Sequence, residues 1–187
     1  MKKFITLLII LVLAIGIVAC TPKEPIVEDP VVETPVDEPV GEEPEIPSDF
    51  NKVTLYFVND EYIQTGNESL EKLIPEEWEM EELHISVEEA IVRGLMEGPK
   101  TEGLRTVIPA TAKLLGVEVK DGTAFVNFAY EGLSGGSLEE TYTINQIVAS
   151  LTELDTVDRV QFLLDGEKGD SLMGHYGIAE PFEKPIN

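Results

Sequence analysis

The side chain best placed for chemistry is the thiol of Cys20, the single cysteine among 187 residues. It ends a segment that opens with Lys2 and Lys3, runs through apolar Phe4 to Val18, and reaches the small residue Ala19. Basic, apolar and small residues in that order make an export signal. The run falls short of the roughly 20 apolar residues a spanning helix needs, and Pro22 and a string of acids follow it. A reactive thiol is not expected there, because a lowered thiol pKa requires basic company and Lys23 is opposed by Glu24. With no second cysteine, no internal disulfide is expected.

The four residues Ile17-Val18-Ala19-Cys20 resemble the lipobox of bacterial lipoproteins. That resemblance implies a diacylglyceryl group on the Cys20 sulfur and cleavage just before it, so that residues 1–19 are a lipoprotein signal peptide and the mature chain begins at a palmitate-bearing cysteine.

Other residue types invite an enzymatic reading, and each meets a simpler one. His84 and His175 are the two histidines. Neither stands in a motif that would supply a general base with its orienting group, so both are expected at the surface or in support of structure. Ser134-Gly135-Gly136-Ser137 precedes a helix and resembles a phosphate cradle. Glu139 and Glu140 in the first turn would repel an anion, and a Walker lysine is missing. Glu88-Glu89 and Glu139-Glu140 could be the paired carboxyls of a glycan hydrolase, but helix caps and dipoles account for them. Asp165 to Asp170 lacks the Asp-x-Asp-x-Asp-Gly order of a calcium loop and reads as a turn. No catalytic residue, metal or cofactor is expected.

The net charge of −23 argues against nucleic acid, whose recognition rests on neutralising phosphates. It argues equally against an electrostatic grip on anionic lipid, which leaves the acyl chains on Cys20 as the membrane attachment. Residues 20–50 interleave Pro22, Pro25, Pro30, Pro35, Pro39, Pro44 and Pro47 with Glu, Asp and Val. Fixed φ angles and like charges predict an extended, solvated spacer without a core. At about 3.1 Å per residue, it reaches on the order of 90 Å from the membrane.

Residues 51–187 carry the folded domain. Val53 to Val58 reads as a strand. Residues 61–85, with Pro75 and the acidic run around Trp78, read as an irregular excursion with a helical turn near Trp78. Ser86-Val87-Glu88-Glu89 matches a capping box that opens a helix, and Gly98-Pro99 stops it. Asp121-Gly122 signals a type I′ hairpin. Its register places Val119, Val117 and Leu115 opposite Ala124, Val126 and Phe128 on the core face, with Glu118, Phe125 and Asn127 on the other. Ser137-Leu138-Glu139-Glu140 matches a second capping box, followed by the stripe Ile144, Ile147, Val148, Leu151 and Leu154. Arg159 to Leu164 gives a last strand. The order β-α-β-β-α-β predicts an α+β fold: a small, mostly antiparallel sheet with helices packed on one face.

Val53 to Val58, Glu89 to Pro99, Leu104 to Pro109, the Asp121-Gly122 hairpin, Thr143 to Leu154 and Val160 to Gly166, taken in this order, resemble a GerMN domain. The module occurs in spore-germination, sporulation and other Gram-positive envelope lipoproteins. The resemblance implies a non-enzymatic assembly or binding role on the outer face of the cytoplasmic membrane, with an envelope protein or peptidoglycan as partner. Phe125 and Trp78 are the residues expected to meet that partner. The alternative is a peptidoglycan hydrolase or its accessory subunit.

Overall fold

A computed structural model describes residues 52–80 and 84–186. Cys20, the signal segment and the proline-rich linker lie outside the described residues. No helix among the described residues is long and apolar enough to cross a membrane.

Strand β1 (Lys52–Asn59) alternates Val53, Leu55 and Phe57 toward the core. Asn59 then turns the chain: its side chain accepts hydrogen bonds from the amides of Glu61 and Tyr62, capping the short helix α1 (Asp60–Thr65), and Gly66 closes that helix in the left-handed conformation. The expected irregular excursion is therefore largely ordered. Its acidic part is a strand, β2 (Leu73–Glu79), antiparallel to β1 with Val53 opposite Trp78 and Phe57 opposite Ile74. The helical turn expected around Trp78 is replaced by extended chain. Pro75 is tolerated because β2 is an edge strand, where a missing backbone donor breaks no ladder.

Helix α2 (Val87–Glu97) starts as the capping motif predicts, with Ser86 Oγ accepting from the Glu89 amide at 3.2 Å. Glu89 does not complete the box; its carboxylate takes the guanidinium of Arg93 instead. Gly98 caps the C-terminus. The two-residue strand β3 (Leu104–Arg105) lies on the other side of β1, giving a first sheet of order β2-β1-β3.

Strands β4 (Leu114–Lys120) and β5 (Thr123–Phe128) form the expected hairpin, and Asp121 and Gly122 both take positive φ, as a type I′ turn requires. The register holds from Lys120–Thr123 to Gly116–Asn127 and then shifts. Leu114, rather than Leu115, faces Phe128; Leu115 is the extra residue of a bulge and is 54% exposed.

Helix α3 (Ser137–Leu151) begins one residue earlier than its capping motif suggests. Gly136 is the cap, and Glu139 reaches back to the Gly136 amide. The helix is a crossover that brings β6 (Arg159–Leu164) parallel to β5, closing a second sheet of order β4-β5-β6. The fold is α+β, and three of its four strand pairs are antiparallel. It has two three-stranded sheets where one was expected, because β1 recruits the unforeseen β2 and β3 while the hairpin pairs with β6.

Helix α3 packs on both β1 and β6, and α2 packs on β1, β4 and α3. One contiguous core results, built from Leu55, Phe57, Ile91, Leu95, Val126, Phe128, Ile144, Ile147, Leu151 and Phe162. Enclosure on several sides buries polar residues of α3 too, and each finds backbone to hold. Thr143 and Gln146 grip the carbonyl and amide of Val107. Asn145 takes both backbone groups of Ile186. Ser150 accepts from the Tyr56 amide.

Candidate interaction surfaces and the fate of the acidic side chains

Trp78 is 9% exposed, so it is a core residue more than a free platform. Period-two alternation aims it inward from β2, where its ring lies 6.4 Å from that of Phe57. On α2, Gly94 leaves room for it: a Cβ there would come within 3.1 Å of the indole and 2.8 Å of Leu55 Cδ1. The ammonium of Lys100 sits 4.2 Å from the ring centroid. A groove bounded by Met80, Ile85, Ala90, Arg93 and Lys100 runs beside the indole, and a partner at this place would meet that rim.

Beneath Lys100, Glu76 collects three donors. Its carboxylate accepts from the Lys100 amide at 3.0 Å, the Thr101 amide at 2.8 Å and Trp78 Nε1 at 2.6 Å. Burial pushes its pKa up, but the hydrogen bonds from Lys100, Thr101 and Trp78 together outweigh burial and hold it at about 2, below the ordinary 4.5. A depressed carboxylate contributes stability that is fully present above its unfolded pKa and fades as pH falls through the folded one. Thermal unfolding of Glu76→Gln against the parent should therefore show its full deficit at pH 6. That deficit should shrink as pH falls from 4.5 toward 2.

Phe125 lies on β5 between Glu118 of β4 and Gln161 of β6, on the face opposite Ala124 and Val126, and is half-buried. Gln161 on the same face is covered: its amide donates to the carbonyls of Phe162 and Ile178. The C-terminal segment thus closes one side of this face, and Phe125 stands at the border of what remains. Trp78 and Phe125 belong to different sheets.

The acids that could have formed a hydrolytic pair are engaged elsewhere. Glu89 is held by Arg93. Glu139 occupies the helix N-terminus through the Gly136 amide, filling with its own carboxylate the position an anion would take. Gly135 is packed against Met173 Sδ and Glu139, so the Ser134–Ser137 loop is not an open cradle. Glu140, expected beside Glu139 as a first-turn acid explained by the cap and the helix dipole, is fully buried. It accepts from the amides of Met173 at 2.8 Å and His175 at 2.6 Å. The sequence offers a faint signal for this, since Glu140 is in register with the apolar stripe through Thr143, Ile144 and Ile147.

His175 is exposed and its ring contacts the Gly135 carbonyl at 3.1 Å; His84 is exposed as well. Asp165 and Gly166, both at positive φ, make a tight turn closed by reciprocal bonds between Leu164 and Glu167. Among the described residues no group of three His, Cys, Asp or Glu side chains could hold a metal ion.

Residues 54–170 match the family model described as Germane: Sporulation and spore germination. Among solved structures, the chain is similar to the tandem GerMN domains of the sporulation protein GerM from Bacillus subtilis, at 24% identity and a TM-score of 0.56. That match covers 72% of this chain and 45% of the other. The first GerMN domain of the same protein matches at 20% identity and a TM-score of 0.54, over 73% of this chain and 93% of the other. A candidate lipoprotein from Clostridium perfringens is 27% identical with a TM-score of 0.47, over 71% and 87% of the two chains. No curated protein matches the chain.

Proposed function

The chain belongs to the Germane family of sporulation and spore germination domains, and we propose that it is an exported lipoprotein whose folded domain, residues 51–187, is a non-catalytic envelope binding and assembly module. Acyl chains on Cys20 hold it to the outer face of the cytoplasmic membrane, and the linker carries the domain outward. Its partner is an envelope protein or peptidoglycan, met during sporulation or spore germination.

The observation that carries the non-catalytic part is the employment of the acids. A glycan hydrolase needs two carboxyls facing each other about 5 to 10 Å apart across a scissile bond. Here Glu139 caps its own helix and Glu140 is turned inward to hold the 173–175 backbone. Phe125 and the rim around Trp78 are the surfaces this reading assigns to the partner.

Two experiments test the proposal. Full-length Cys20→Ser should move from the membrane fraction to the soluble fraction and incorporate no labelled palmitate; retention at the membrane overturns the anchor. Peptidoglycan incubated with the parent protein should stay insoluble, and capture of an envelope partner should weaken in Phe125→Ala, with circular dichroism showing that the variant remains folded. Release of soluble fragments, lost in Glu89→Gln, overturns the non-catalytic reading.

A further inference from the structure

Asp121 and Asp165 are the aspartates followed directly by glycine. Such a pair is prone to rearrange, because glycine puts no side chain in the way of its own amide nitrogen when that nitrogen turns on the preceding carboxyl. Both pairs form two-residue turns at positive φ, 51° and 70° in the first and 50° and 87° in the second. A positive φ is uncommon for a residue with a Cβ and is imposed on both aspartates by the turns. Both side chains are exposed.

The two turns differ in what their amides do. In the second, the Asp165 amide donates to the Phe128 carbonyl at 2.9 Å and the Gly166 amide donates to Asn127 Oδ1 at 2.9 Å. In the first, Lys120 and Thr123 close the hairpin, and the amides of Asp121 and Gly122 between them are not part of the ladder. Neither finds an acceptor among the described residues. The Gly122 carbonyl, by contrast, takes the amides of Asp158 at 2.8 Å and Arg159 at 3.2 Å, which docks the turn on the start of β6. The Asp158 carboxylate also reserves position 122 for glycine, since a Cβ there would run into it.

We propose that Asp121 is a modification site at which the chain rearranges spontaneously to isoaspartate, and that Asn127 protects Asp165 from the same reaction. The Gly122 nitrogen bonds to Cγ of the protonated Asp121 side chain; the amide proton and the acid hydroxyl leave together as water, and a five-membered imide closes. Water then adds at the former main-chain carbonyl, breaks its bond to the Gly122 nitrogen, and leaves the chain running through Cγ. The reaction consumes nothing but the water it first released. At Asp165 the attacking nitrogen must first give up its bond to Asn127, and one hydrogen bond of ordinary strength slows the step about fivefold. The product at Asp121 carries an extra backbone atom in the turn that joins β4 to β5 and rests on β6. This site does not depend on the envelope partner or on the lipid anchor.

The test incubates the full chain in detergent in a mildly acidic buffer, then maps aspartyl and isoaspartyl peptides by chromatography with electron-transfer fragmentation. In the folded parent, isoaspartate should accumulate at Asp121 about fivefold faster than at Asp165. In denaturant the two rates should converge, because both sites are then plain Asp-Gly pairs. Asn127→Ala, shown by circular dichroism to remain folded, should raise the rate at Asp165 and leave that at Asp121 unchanged. Equal rates in the folded parent, a ratio that survives denaturation, or a folded Asn127→Ala chain with Asp165 still at its parental rate overturns the proposal.

Discussion

Trp78→Ala should lower the stability of the domain by about 3–5 kcal/mol, the range for removing a large aromatic from a packed interior. The expectation rests on the side chain's place between β2 and α2. The indole packs on Phe57, abuts Gly94, donates to Glu76 and lies under Lys100. Alanine removes all four contacts at once and leaves Glu76 short of a donor. Trp78→Phe keeps the ring volume in part and should cost markedly less. Chemical denaturation of the three proteins checks the order. Binding lost in Trp78→Ala would therefore report a damaged fold. The exposed part of the groove is better probed by Lys100→Ala, which removes the cation from the rim and leaves the core intact.

Glu140→Ala should be nearly as damaging, by about 2–4 kcal/mol, although it sits next to a glutamate whose removal should cost about 1 kcal/mol or less. Glu139 is exposed, and its carboxylate serves one amide at the helix terminus. Glu140 is enclosed and serves two amides from a distant segment, Met173 and His175. Charge-assisted bonds are roughly twice as strong as neutral ones, and the two amides have no alternative once the carboxylate is gone. Amide hydrogen exchange at Met173 and His175 should accelerate strongly in Glu140→Ala and stay near parental values in Glu139→Ala. Glu140→Gln should fall between, since it retains one acceptor oxygen.

These two residues also mark where the sequence was legible. Signals that are local in the chain translate directly: the Ser86 cap, the Asp121-Gly122 turn, the limits of β6 and the α3 stripe from Ile144 to Leu151 stand where patterning puts them, while Leu154 falls beyond the end of the helix and packs on the core from the following turn. What depends on distant partners does not. β2 escaped because Pro75 and the three acids Glu76, Glu77 and Glu79 are poor strand formers, and only pairing with β1 makes them extended. Read with period two, Ile74, Glu76 and Trp78 share a face, which is the signal that could have turned Trp78 inward. The bulge at Leu115 has a mark in the sequence that hairpin register alone ignores: Leu114 and Leu115 break the apolar alternation, and Gly116 follows inside the strand. The parallel alignment of β6 comes from the crossover through α3, which a linear order of elements leaves open. Of the residues proposed to carry function, Cys20 rests on a wholly local motif and lies outside the described residues. Phe125 was correctly assigned to the outer face by hairpin register, but Gln161 and the C-terminal segment beside it were not foreseeable from the hairpin.

The polar residues of α3 have a consequence for how freely the rest of the chain can change. Glu140, Asn145, Gln146 and Ser150 hold main-chain groups of residues 173, 175, 186, 107 and 56, not their side chains. Main-chain groups are the same whatever residue occupies the position, proline apart. The helix therefore fastens its surroundings without reading their identity. The segments it fastens can therefore exchange side chains for a new partner while keeping their course.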